Sequence, residues 1–222
     1  MSDGPGPDGE RLAKRLAAQQ GCSRAEAERF IAGGWVRVDG QVVEAPEARV
    51  LPGQVVTLDA GARPEDLSPV TLLWHKPAGV LVPECLHLPS DTAAQWLADA
   101  QRSPADRSRV RALRVHRHRL QPLLPLGFDE SGLMVFTQSP GVARKLAESA
   151  ADLEHEWLLD LPAVAPLPGA DARDATLRSF AQATSFDGRR LPPARASWQS
   201  DRRLRLALKG CLPGQVGFLI ER

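Results

Sequence analysis

The sequence predicts an α+β protein: a small N-terminal domain of two helices and a short sheet, then a larger domain containing further strands and helices. Three observations predict it. Apolar residues recur at helical spacing near the start, at Leu12 and Leu16 and again at Ala27, Phe30 and Ile31. Apolar or alternating runs of strand length follow at 70–74 and 204–208. Turn-forming pairs punctuate the chain at Asp39-Gly40, Pro52-Gly53 and Asp187-Gly188.

Size and composition set the bounds. The chain has 222 residues, 43% hydrophobic and 25% charged, which suits one large domain or two smaller ones. A net charge of +1 names no partner, so only local clustering of charge can. Cys22, Cys85 and Cys211 are far apart, without metal-ligand spacing, and read as free thiols of a reducing compartment. The opening MSDGPGPDGE is polar and rich in Gly and Pro, and reads as a disordered lead-in rather than a signal peptide. No apolar run approaches the roughly 20 residues that span a bilayer. A cytoplasmic monomer is the expectation.

The first helix has Leu12 and Leu16 inward, Arg11, Lys14 and Arg15 on its other faces, and Gly21 as its stop. Ser23-Arg24-Ala25-Glu26 is a capping box: the Ser23 hydroxyl caps a helix start and Glu26 reaches back to the cap. The second helix turns Ala27, Phe30 and Ile31 inward and Arg24 and Arg29 outward, and ends at Gly33-Gly34. Residues 35–43 read as a hairpin around Asp39-Gly40, a pair suited to a type I′ turn. Arg11, Lys14, Arg15, Arg24, Arg29 and Arg37 thus fall on two helices and the following strand. A rigid cationic platform of this kind contacts phosphates.

The order of these pieces resembles the small αL RNA-binding domain of ribosomal small-subunit protein four. R-L-A-K-R-L-A, G-C-S-R-A-E-A-E-R-F-I, G-W-V-R-V-D-G and L-P-G-Q follow that family's pattern in sequence and spacing. The resemblance implies RNA binding by residues 10–60, with Ser23 among the contacts.

Residues 60–69, AGARPEDLSP, read as a linker. The strand 70–74 then runs into His75-Lys76-Pro77-Ala78-Gly79. Residues 102–119 hold seven arginines and two histidines against Asp106 alone, a run read as facing RNA, with Arg117 and Arg119 its clearest contacts. Ser139-Pro140 opens a helix with Val142 and Leu146 inward. Beyond Gln215 further strand is expected, so the C-terminus reads as short.

From residue 70 to 222 the order resembles the ribosomal RNA pseudouridine synthases. His75-Lys76-Pro77 matches an N-K-P-x-G strand end, Glu154–Leu159 matches E-K-E-Y-x-V, and residues 122–133 match the active-site loop P-V-G-R-L-D-x-D-T-x-G-L. The resemblance implies a mixed, mostly antiparallel sheet of the pseudouridine synthase type, structured RNA, above all ribosomal RNA, as partner, no membrane, and no metal or cofactor. It also implies an aspartate as the central catalytic group, an arginine that keeps it ionised, and a tyrosine that stacks on a flipped base.

Those positions have changed. With Pro122 and Gly132-Leu133 aligned, Pro125 stands at the arginine and Gly127 at the aspartate. Trp157 stands at the tyrosine, and the chain contains no tyrosine. Gly217 stands at a C-terminal arginine. The reading is an RNA-binding protein on a pseudouridine synthase scaffold without catalysis, with Lys76 beside the RNA groove and Trp157 still able to stack on a base. The alternative is an active synthase that uses Asp129 in a shortened loop. Asp129 lies two residues nearer Gly132 than the family aspartate, about 6–7 Å along an extended chain. His118-Arg119-Leu120-Gln121 echoes an H-R-L-D variant, but the Gln121 amide cannot ionise.

Overall fold

Two helices packed on a small sheet open the chain. The computed structural model describes residues 9–83, 87, 89–98, 102–182, 184–210 and 214–221. Cys85, Cys211 and most of the N-terminal lead-in lie outside the described residues, and Cys22 is a free, half-buried thiol. Helix α1 spans Leu12–Gln20 and α2 spans Arg24–Ala32. The expected stop of α1 is present: Gly21 adopts a left-handed φ of 66° and its amide bonds the Ala17 carbonyl. The capping box of α2 is complete, with the Glu26 amide bonded to the Ser23 hydroxyl and the Ser23 amide bonded to the Glu26 carboxylate.

Leu12, Leu16, Ala27, Phe30 and Ile31 form one core with Val36, Val38, Val50 and Val56. The strands beneath are β2 (Val36–Val38), β3 (Gln41–Val42) and β5 (Val56–Leu58), in the order β3-β2-β5, both pairs antiparallel. Strand β1 (Glu10–Arg11) pairs separately with β4 (Arg49–Val50). Asp39 and Gly40 both take positive φ, 51° and 82°, as a type I′ turn demands. The Asp39 carboxylate also accepts from the Val55 amide and the Gln54 side chain, which holds its pKa below the ordinary carboxylate value. This aspartate therefore ties its hairpin to the next strand.

The chain forms two compact units that interleave in sequence: residues 1–72, 85–121 and 136–139 in one, and 73–84, 122–135 and 140–222 in the other. In the first unit, Leu113 and Leu120 of the arginine-rich stretch are buried. That stretch is not a long helix: its regular piece is a single 3-10 turn at Arg114–Arg117.

The later strands are β6 (Thr71–Lys76), β7 (Gln121–Leu123) and β8 (Gly132–Thr137), in the order β6-β8-β7. In the second unit, helix α3 (Pro140–Ser149) starts at the expected proline. Strands β9 (Glu154–Asp160), β10 (Arg195–Trp198) and β11 (Arg203–Lys209) form an antiparallel sheet ordered β10-β11-β9. Its inner face carries Leu204, Leu206 and Leu208 and packs with Phe180, which ends the helix Ala170–Phe180. Its outer face is self-neutralised: Arg203 grips Asp160 at 2.6 and 3.0 Å, Arg205 bonds Glu156 at 2.7 Å, and Arg195 pairs with Glu154. The strand expected beyond Gln215 is instead a helix, Gln215–Glu221. Its residues Gln215 and Val216 are buried, and the alternation a strand needs is missing from Val216-Gly217-Phe218-Leu219-Ile220. Helices and antiparallel sheets together make an α+β protein, as the sequence predicts.

Candidate nucleic-acid interface and active-site loop

The predicted cations of the first domain separate into two groups. Arg11, Lys14 and Arg24 line one open groove together with Ala13, Glu28, Pro46 and Glu47. Arg11 precedes α1, Lys14 lies one turn on, and Arg24 begins α2, so the entry ends of the two helices bring them together. Among the described residues no ion pair holds these side chains, and their charge is available to an anion.

The other cations are engaged within the fold. Arg15 donates to the carbonyls of Leu51 at 2.7 Å and Gln54 at 2.8 Å, pinning the Pro52-Gly53 turn. Arg29 pairs with Asp66 at 2.7 Å, and Arg37 with Asp59 at 2.9 Å. The Ser23 hydroxyl serves the helix cap, and the bonds that the Ser23 amide and then its hydroxyl donate to the Glu26 carboxylate hold the Glu26 pKa below the ordinary value. Sequence spacing placed all of these on surfaces, but partners distant in sequence decide which guanidinium is free.

Within the same unit the arginine-rich stretch is strapped down. The Arg111 guanidinium lies 4.0 Å over the Trp35 ring and donates to the Gly34 carbonyl at 2.9 Å. Leu113 fits against Gly34, where an added methyl would come within 3.0 Å of it. The Arg114 amide bonds the Glu44 carboxylate. Gln138 donates to the carbonyls of Val115 and His118, each at 2.7 Å. His116 is buried with its ring facing the Arg111 carbonyl, and burial pushes its pKa down. Arg107, Arg109, Arg114 and Arg119 are exposed and Arg117 half-exposed. Trp35, Glu44 and Gln138 carry this arrangement and have no functional signal in the sequence, while Arg111 is read there only as one cation of the run. Only the fold brings them together, across up to 77 residues.

In the second unit the loop that the sequence resemblance marks as a candidate active-site loop is held by a buried ammonium. Lys76 is 0% exposed, and its Nζ donates to the carbonyls of Glu130 at 2.7 Å, Pro77 at 3.1 Å and Phe128 at 3.2 Å. Burial pushes the Lys76 pKa down, against the opposing charges of Glu130 and Asp129. The expectation that Lys76 touches RNA is corrected here, because its three donors are all committed to the loop.

At Gly127 the Glu130 carboxylate folds back onto the Gly127 amide at 2.5 Å. A Cβ on Gly127 would sit 3.2 Å from that carboxylate. The space beside Gly127 is therefore filled by the Glu130 carboxylate. Asp129 is exposed, and among the described residues no arginine pairs with it.

Trp157 faces inward on β9 opposite Leu206 and packs on the core of Phe180, Leu204 and Leu208. Its buried indole N–H has no hydrogen-bond partner among the described residues. Base stacking by Trp157 is thus corrected to core packing: strand parity puts it on the inner face with His155 and Leu159. Among the described residues no cluster of three or more His, Cys, Asp or Glu could hold a metal ion, and no helix is long and apolar enough to cross a membrane.

Comparison with known proteins joins these two halves. Residues 10–56 match the S4 domain. The chain is 27% identical over 160 residues to the ribosomal large subunit pseudouridine synthase B of Bacillus subtilis (strain 168). That match covers 71% of this chain and 57% of the relative, so the chain spans under three fifths of the relative's length. A solved pseudouridylate synthase is 16% identical, with a TM-score of 0.45 over 95% of this chain and 82% of that one.

Proposed function

We propose that this chain, an S4 domain followed by a pseudouridine synthase-like body, binds structured RNA, ribosomal RNA foremost, without isomerising uridine. Residues 10–60 supply the primary RNA contacts and residues 70–222 the synthase-like body, in a protein that works as a cytoplasmic monomer. One observation carries the loss of chemistry. Glu130 occupies the space beside Gly127, and its carboxylate is turned onto backbone. The isomerisation needs a carboxylate free to reach a flipped base and a cation to keep it ionised. Pro125 supplies no cation, and Lys76 is enclosed by carbonyls.

RNA binding itself rests on Arg11, Lys14 and Arg24, which no ion pair holds among the described residues, and on the arginines of the strap. Arg15, Arg29 and Arg37 support the domain and contribute less directly.

The test is pseudouridine mapping, by mass spectrometry, in ribosomal RNA incubated with the wild-type protein and with Asp129→Asn. No conversion by either protein is expected, alongside measurable RNA binding by both. Conversion by wild type that disappears in Asp129→Asn would make Asp129 the catalytic residue of a shortened loop.

A further inference from the structure

We propose that the arginine strap and the S4 domain act as one RNA-binding surface whose partner is the phosphate backbone of double-helical RNA, not an unstacked base. The inference rests on the RNA-binding reading above and names the class of RNA.

The strap is a built element rather than a loose basic tail. Arg111 stacks on Trp35, Leu113 seats against Gly34, and the Arg114 amide is tied to Glu44, all on the S4 domain. Gln138 fixes its far side through the Val115 and His118 carbonyls. These anchors use backbone groups, one leucine and one guanidinium. They leave Arg107, Arg109, Arg114, Arg117 and Arg119 outside any ion pair among the described residues. Like charges held this close repel one another unless an anion lies between them. Held on the same unit as Arg11, Lys14 and Arg24, they form a preorganised set of phosphate contacts.

The aromatic residues decide the class of RNA. Single-strand binders interleave cations with exposed aromatic rings on which bases stack. The described part of this unit presents no exposed Phe or Trp ring. Trp35 lies beneath Arg111, Phe30 and Phe136 are buried, and Trp96 is half-buried and engaged. Charge without stacking fits a duplex, whose phosphates and shape are accessible while its bases remain paired.

The experiment is fluorescence anisotropy over a series of KCl concentrations. It uses a labelled RNA hairpin and a single strand of equal length and composition. The wild-type protein should bind the hairpin about tenfold more tightly, since no stacking rewards the single strand. Replacing Arg114, Arg117 and Arg119 together by Gln should flatten the slope of log affinity against log salt by about one unit per lost contact. Trp35→Leu keeps every cation but loosens the strap, and should weaken hairpin binding about fivefold, while Trp35→Phe restores it by keeping a ring under Arg111. Circular dichroism confirms that each variant is folded. An unchanged slope in the triple Gln variant overturns the strap's part. Equal or tighter binding of the single strand overturns the duplex assignment. Loss of binding in Lys14→Glu with Arg24→Glu, beside an unaffected strap variant, would sink this inference and leave RNA binding by the S4 domain standing. Failure of the wild type to bind either RNA would remove both.

Discussion

Lys76→Met isolates what a buried ammonium does for the loop around Phe128 and Glu130. Methionine keeps the length and most of the apolar contact of the stem and removes the three donors. The structure sets the size of the effect. A net hydrogen bond to a charged group contributes roughly 1.5–3 kcal/mol. Three of them would overstate the loss, because the ammonium also carries a burial penalty of several kcal/mol. The acceptors differ as well. The Phe128 carbonyl keeps the Gly79 amide at 2.8 Å, and Pro77 is exposed, so water can replace the donor there. The Glu130 carbonyl, at 2.7 Å from Nζ, loses the shortest of the three bonds. A net destabilisation of about 2–3 kcal/mol follows, measured by urea unfolding.

The pH dependence adds a second reading. Burial lowers the Lys76 pKa in the folded state, so the unfolded chain binds more protons between that value and the ordinary lysine value of 10.5. The ammonium's burial penalty is fully present below the folded pKa and fades as pH rises through the window up to 10.5. Wild type should therefore gain stability relative to Lys76→Met as the buffer becomes alkaline. A loss below about 0.5 kcal/mol, within the usual range for surface substitutions, would refute the clamp. So would weakened RNA binding without any change in stability, which would return Lys76 to the RNA surface.

Trp157→Phe should change stability by less than about 1 kcal/mol, because it removes apolar area and an unpartnered indole N–H together. Its RNA affinity should equal that of wild type in the same titration. Gly127→Asp should remain inactive in pseudouridine mapping and melt at lower temperature, since its carboxylate would press on that of Glu130; adding Glu130→Ala should recover the melting temperature. Ser23→Ala should cost about 1 kcal/mol in denaturant unfolding, the usual value of a helix cap. Glu26, whose pKa is lowered chiefly by its bonds with Ser23, contributes stability present above 4.5 and lost as pH falls through its lower folded value. The acid limb of the unfolding curve should therefore be shallower in Ser23→Ala than in wild type.

Local chemistry was legible in the sequence, and distant partners were not. The capping box at Ser23–Glu26, the stop at Gly21 and the turn at Asp39-Gly40 are written in residues a few positions apart, and each is present as read. Periodicity placed Leu12, Leu16, Ala27, Phe30 and Ile31 in the core. Spacing could not distinguish Lys14, which is open to an anion, from Arg15, whose donors meet carbonyls 36 and 39 residues away. Lys76 was misread because a charged residue beside a turn is ordinarily exposed, and the carbonyls that bury it lie 52 and 54 residues on. Trp157 was misread because family position suggested a cleft while strand parity with Leu206 gave the core. The charge run at 102–119 was recognised, but its mooring through Trp35 and Glu44 has no local signature.

The interleaving of the two units also orders events during synthesis. Gly34 emerges from the ribosome 77 residues before Arg111, the residue that bonds it. At roughly 5–20 residues per second, that gap is about 4–15 s. Over that interval the helix pair can fold on its own core, while the Trp35 ring and the seat for Leu113 stay uncovered. The nascent N-terminal domain is therefore born with its apolar Gly34-Trp35 ledge in water and its groove cations already in place. Its last side is closed by chain that arrives after the linker and the first strand of the neighbouring unit have been made.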